Sequence, residues 1–183
     1  MYKVVIISGS PNESSRLSGV LNKIIINLEQ KRLKVDQIQI CKLPADDLLH
    51  ARFDSVMIQN ANALVEQANA IIVATPIYKA SYSGILKTYL DLIPQKGFEN
   101  KRILPLAIGG SKAHLLMLEY ALKPVLSVLG ATIIENGIFV HDSEVSLNEL
   151  GETVIANTIS DRLNEGINQL ISNSFEGCNL SNY

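Results

Sequence analysis

Cysteine is nearly missing: the 183 residues hold only Cys41 and Cys178, far apart and in no CxxC spacing, which leaves no disulfide framework and no structural zinc site to expect. The three histidines, His50, His114 and His141, are dispersed as well, so no metal centre is read from the sequence. An excess of charge of one sign is also lacking. The 16 basic and 18 acidic residues leave a net charge of −2 and are scattered along the chain, without the electrostatic footprint of a nucleic-acid binder. No run approaches the roughly 18 apolar residues of a membrane span, and the hydrophobic part of MYKVVIISGS is too short for a signal peptide. A cytoplasmic protein is the expectation. A chain of this length with 47% hydrophobic residues buries one full core, and no linker divides it. The expected organisation is one domain over residues 1–172 and a polar tail over 173–183.

What is present is alternation. Apolar, β-branched runs bounded by turn residues recur at Lys3–Ser8, Lys34–Ile40, Ala70–Thr75, Arg102–Ile108 and Ile133–Val140. They are continuous hydrophobics, the pattern of strands buried on both faces. Between them Leu17–Gln30, Phe53–Gln67, Ser83–Leu92 and Ala113–Leu129 have helical spacing, and a last amphipathic stretch, Leu147–Ile171, is predicted as a helix. Strand and helix alternating five times predicts an α/β, doubly wound five-stranded parallel sheet of order 2-1-3-4-5, with helices on both faces.

In such a sheet ligands bind beyond the carboxyl ends of the strands, beside the point where strand order reverses. The first of these loops, ISGSPNESSR, presents four serine hydroxyls and Arg16 where a helix is about to start. It reads either as a solvated loop with an N-cap or as an anion cradle for a terminal phosphate. It carries neither the GxxxxGK[ST] of a nucleotide P-loop nor a GxGxxG fingerprint, and it has no thiolate for phosphatase chemistry. After the third strand comes TPIYKASYSG, in which Pro76 is read as closing the strand; exposed backbone N–H groups there suit a flat, hydrogen-bonding ring, and an ordinary turn fits as well. The fourth strand ends in IGGS, which either lets a planar ligand approach the backbone or only makes a turn. Phosphate donors at one end and a flat-ring seat at the other describe FMN.

Three segments, GSPNESSR, ATPIYKASYSGILKTYLDLIP and LAIGGSKAHLLMLEYALKPVLSVLGA, resemble in order and spacing the NADPH-dependent FMN reductases of the flavodoxin-like fold, and within them the reductase component of two-component alkanesulfonate monooxygenases. The likeness spans roughly residues 3 to 142. It implies that Ser10, Ser15 and Arg16 bind the FMN phosphate, that Pro76, Ile77, Tyr78 and Lys79 seat the isoalloxazine, and that Gly109, Gly110 and Ser111 form the wall beside the ring. It further implies an oxidoreductase that passes a hydride from NADPH to FMN and hands reduced flavin to a partner flavin-dependent monooxygenase. Glu13 departs from this picture, because its carboxylate is unfavourable beside a phosphate unless it turns outward. An FMN-retaining reductase of quinones, azo dyes or chromate, and a flavodoxin-like electron carrier, remain alternatives on the same fold.

The segment AHLLMLEYALKPVLSVLGA is nearly apolar all round, with Glu119, Lys123 and Ser127 at i, i+4 and i+8 as one thin polar stripe. A helix like that predicts a homo-oligomer, dimer or tetramer. Pro124 removes one helical hydrogen bond, and a π-bulge near Tyr120 fits there. The resemblance gives Tyr120 its role, since a tyrosine inserted at this place lies in a π-helix at a tetramer interface near the flavin and is associated with flavin exchange. From the residues alone Tyr120 reads instead as a buried interface tyrosine with its hydroxyl satisfied.

Overall fold

The computed structural model describes residues 2–149 and 152–172. The polar tail expected over 173–183 lies outside them. In chain order the elements are β1 (Lys3–Ser8), α1 (Arg16–Gln30), β2 (Lys34–Gln39), α2 (Ala45–Leu49), α3 (Val56–Glu66), β3 (Ala70–Tyr78), β4 (Ser81–Tyr82), α4 (Gly84–Leu90), β5 (Arg102–Gly109), a π-helical turn (Leu118–Leu122) continuing into α5 (Lys123–Val128), β6 (Ile133–Ile134), β7 (Ile138–His141), β8 (Val145–Leu147), β9 (Thr153–Ile155) and α6 (Asn157–Leu170).

β2-β1-β3-β5-β6 is the strand order, all parallel, and β7 also pairs with β5. That is the expected doubly wound sheet, with its fifth strand broken in two. Alternation along each strand sorts the core into two layers. Val4, Ile6, Ile72, Leu104 and Leu106 face α1 and α6, whose Leu21, Ile24, Leu28, Ile159, Leu163 and Ile167 cover them. Val5, Ile7, Ile71, Val73 and Ile103 face the opposite way, onto α4 and the π-turn through Leu86, Tyr89, Leu118 and Leu122. Each such side chain taken fully out of water contributes about 1.5–3 kcal/mol before the entropy of ordering it is subtracted.

Four expectations are corrected. β2 is an edge strand, half-buried for most of its length; its Lys34, Asp36, Gln37 and Gln39 blunt the edge. The stretch predicted as one strand, Ile133–Val140, is interrupted because Glu135 turns to pair with Arg102 (Nε to Oε1 2.9 Å), and because Gly137 lies against Leu118 so closely that a Cβ would sit 3.0 Å from its Cδ1. β3 does not stop at Pro76. Pro76 pairs in register with Ile108, and the strand continues to Tyr78 before folding back antiparallel as β4. Finally, Val154 and Ile155 belong to the β8–β9 hairpin, and α6 starts only at Asn157. β-branched Thr153-Val154-Ile155 suits a strand, and the hairpin crosses the face of α1 where Gly19 leaves room for Thr153.

Candidate active site

Loop one is built around hydroxyls. Ser15 is the N-cap of α1: its Oγ accepts the Ser18 N–H at 3.1 Å and lies 2.9 Å from Ser18 Oγ. Ser10 is buried; its Oγ donates to the Asn12 carbonyl (2.8 Å) and lies 3.2 Å from Ser15 Oγ. Ser10 therefore anchors the loop from beneath, and Ser15 sits at its mouth. The N–H groups of Arg16 and Leu17 have no acceptor inside the helix, as at any helix start, and no acidic residue occupies the first turn. Arg16 is exposed beside them. Glu13 turns away and pairs with Lys42 at 2.9 Å, which removes the repulsion its position had threatened.

Loops one and three are tied together. Gly9 N–H donates to the Ala74 carbonyl (2.8 Å), and the Ser83 hydroxyl donates to the Gly9 carbonyl (2.6 Å). A Cβ on Gly9 would stand 2.8 Å from Leu86 Cβ, so the close approach requires glycine. Ser83 N–H is in turn held by Thr75 Oγ1 at 2.9 Å. Ser83 and Thr75 were not singled out in the sequence; a serine preceding the helical run GILKTYL was the available N-cap signal.

β3 and β4 form a hairpin in which Tyr78 pairs with Ser81, leaving Lys79 and Ala80 as a two-residue turn. Both have positive φ, 50° and 63°. This is the type I′ arrangement, which favours Asn-Gly; with Cβ atoms on both residues it costs about 1–2 kcal/mol at each. Backbone strain of this kind gathers at functional sites. Tyr78, Lys79 and Ala80 are all exposed at the carboxyl edge of the sheet, with Pro76 and Ile77 half-buried below them.

In loop four Gly109 lies against Ile77, where a Cβ would come within 3.2 Å of the Ile77 Cβ, so this glycine serves the contact between the two loops. Gly110 is fixed through its carbonyl, 3.1 Å from His141 Nε2. The His141 Nδ1 accepts the Ser143 N–H at 3.3 Å, which leaves the proton on Nε2 to donate to Gly110. His141 was absent from the predicted site, since nothing local to FVHDSE marks it. The β8–β9 hairpin was absent too: Val145, Ser146, Leu147 and Thr153 wall one side of a cleft of about 630 Å³ that opens along Ser15, Arg16 and Ser18.

The sequence-predicted residues thus fall on three loops at one edge of the sheet, two of them hydrogen-bonded to each other and the third packed on Ile77. Tyr120 is on the separate π-turn. There the Lys123 N–H reaches back to the Leu118 carbonyl, and Pro124 cannot donate to the Tyr120 carbonyl four residues earlier, so the wide turn accommodates a lost bond. The tyrosine itself is 79% exposed. Hydroxyl donors, a helix start and Arg16 fit a phosphomonoester, and the bare backbone of the hairpin and of Gly110 fits a flat ring. FMN is a match for that donor set.

Residues 2–145 match the family model described as NADPH-dependent FMN reductase. The chain belongs to this family. It is similar to a Pseudomonas putida FMN reductase (NADPH), 49% identical over 146 residues, which covers 80% of this chain and 74% of that protein. An Escherichia coli FMN reductase (NADPH) is 46% identical over 143 residues, 78% of this chain and 75% of the relative. Among solved structures, the apo form of an NADH:FMN oxidoreductase (EMOB) superposes with a TM-score of 0.82 at 33% identity, covering 93% of this chain and 88% of that one. This FMN reductase family member is an oxidoreductase of FMN and NAD(P)H, and its sheet is flavodoxin-like.

Proposed function

We propose that the protein reduces FMN as an exchangeable substrate and releases the reduced flavin to a flavin-dependent monooxygenase of the alkanesulfonate type, working as a cytoplasmic homo-oligomer of single-domain subunits. The observation that carries this reading is the π-turn at Leu118–Leu122 with Tyr120 turned outward. In the two-component reductases that the sequence resembles, a tyrosine at this place accompanies flavin handed on rather than retained. Among the described residues no helix is long and apolar enough to cross a membrane.

When bound, FMN would supply the redox chemistry, as acceptor of the hydride from the reduced nicotinamide and of one proton from solvent. The chain supplies orientation. Ser15 and Arg16, with the free N–H groups of the first turn of α1, hold the phosphate, and Ser10 shapes that phosphate site from beneath through its bond to the Asn12 carbonyl. Pro76, Ile77 and the backbone of Tyr78 and Lys79 seat the ring, and Gly109, Gly110 and Ser111 form its wall. Fixed N–H groups in that hairpin favour negative charge on the reduced ring. No side chain is required as an acid or base.

The test is the initial rate of NADPH oxidation by flavin-stripped protein as free FMN is raised, with Tyr120→Ala run alongside. Saturable dependence on free FMN is expected, slowed at least fivefold in the variant while FMN still binds. Wild-type protein that keeps one FMN through turnover and ignores added flavin refutes the exchange reading.

A further inference from the structure

We infer that Lys79, assisted by Lys112, is the docking contact for the phosphates of NAD(P)H, a role separate from seating the flavin ring. The inference rests on the FMN site proposed above.

Cations account for most of the argument. Lys34, Lys42, Arg52, Lys87, Lys96, Arg102 and Lys123 have carboxylate partners, and Lys3, Lys101 and Arg162 donate to amide or carbonyl oxygens. Of the six cations without such a partner among the described residues, Lys23, Lys31 and Arg32 lie further along α1 or just past its end, which leaves Arg16, Lys79 and Lys112. Each stands on one of the three crevice loops, after β1, β3 and β5 respectively. Arg16 is used by the flavin phosphate at the α1 start. A dinucleotide stacking its nicotinamide on the ring brings further phosphate charge to the same edge, and Lys79 and Lys112 are the cations left there to meet it.

Backbone strain singles out Lys79. Arg32, Ala51, Lys96 and Asn100 also have positive φ without being glycine, yet each stands alone; Lys79 and Ala80 are consecutive. A turn of this type is best made by Asn-Gly, so a lysine at its first central position works against the local conformation. Its ammonium is exposed at the hairpin tip, where an anion can reach it, and fully solvated until one does. Asp142 lies beside Gly110, where a Cβ would stand 3.4 Å from its Oδ2, so Lys112 on that loop is the lesser of the two contacts.

Lys79→Asn deletes the charge and installs the residue the turn prefers, so the fold is preserved. The expected result is a KM for NADPH raised about five- to tenfold, in keeping with loss of one hydrogen bond, and raised by a larger factor than any change in kcat. The Kd for FMN, titrated by fluorescence without nucleotide, changes by a smaller factor than the KM, because the ring seat uses the Lys79 backbone and not its ammonium, and Lys79→Arg recovers most of the KM. Raising salt from about 0.02 M to about 0.3 M narrows the gap between wild type and Lys79→Asn. Adding Lys112→Gln raises KM again. A rise confined to NADPH assigns the contact to the 2′-phosphate and an equal rise with NADH assigns it to the pyrophosphate, either result upholding the inference. An unchanged KM in Lys79→Asn, a rise that Lys79→Arg does not recover, or a rise matched by the FMN Kd overturns it. Wild-type protein that binds FMN and oxidises no NADPH would instead remove the reading beneath it.

Discussion

Tyr89 places a phenol in the core layer beneath the crevice, fully enclosed, with its hydroxyl 3.1 Å from Asn62 Oδ1. Burial pushes its pKa far above the ordinary value of 10. The unfolded chain then loses this proton near pH 10 while the folded chain keeps it, so the stabilisation is fully present below pH 10 and is lost as pH rises above it. Each unit of pH over that window costs about 1.4 kcal/mol per proton. Tyr89→Phe is expected to flatten the fall of stability between about pH 10 and pH 11 by about one proton, measured by urea titration at each pH; an unaltered slope would mean the hydroxyl is not enclosed. Tyr2, raised by desolvation and donating to the Leu170 carbonyl at 3.2 Å, leaves a residual slope in the same window.

Between elements, the contact of β9 with α1 is the most closely fitted. A Cβ on Gly19 would overlap the Thr153 side chain, so the hairpin that walls the cleft along Ser15 and Arg16 is locked to α1. Gly19→Ala is expected to lower stability by about 1–3 kcal/mol through overpacking, despite the better helix propensity of alanine. In a Thr153→Ala background the same change costs less, because the overlapping Oγ1 and Cγ2 are gone. A double-mutant cycle by denaturant unfolding measures the coupling. Additivity of the two substitutions would show that the hairpin moves off the helix freely. This fit was invisible in the sequence: Thr153 and Gly19 are distant in the chain, and the periodicity of Val154, Ile155 and Ile159 reads as the start of one long helix.

At the scale of the molecule, an apolar face around the π-turn is left uncovered by the other described residues. Leu115, Leu116, Tyr120 and Val128 are 44%, 58%, 79% and 82% exposed along the π-turn and its flanks, interrupted by the Glu119–Lys123 pair at 2.7 Å and by Ser127. Exposed apolar side chains grouped in this way suit the homo-oligomer proposed above. Val128→Glu is expected to leave the thermal midpoint of the subunit within a few degrees and to shift the sedimentation profile toward monomer. A profile identical to the wild type would exclude this face from the assembly.

The central part of the fold was legible because β1, β3 and β5 are buried on both faces, so their apolar runs are continuous and the helices between them must cover both sides. The meeting of the serine loop, TPIYKAS and the IGGS turn at one edge of the sheet was legible for a related reason: a loop at the carboxyl end of a parallel strand is constrained by its neighbours, and the small, hydroxyl-bearing and turn-forming residues that satisfy those constraints cluster in sequence; that β3 runs on through Pro76 into a hairpin was not legible. Tyr120 in a π-turn was foreshadowed by Pro124, whose missing donor acts on the residue four positions earlier. Tertiary structure alone decided the rest. Glu13 turning to Lys42, His141 holding Gly110, Ser83 tying Gly9 to the third loop, and the hairpin laid across Gly19 are contacts between residues far apart in the chain, and no local pattern encodes a partner that only the completed sheet brings near.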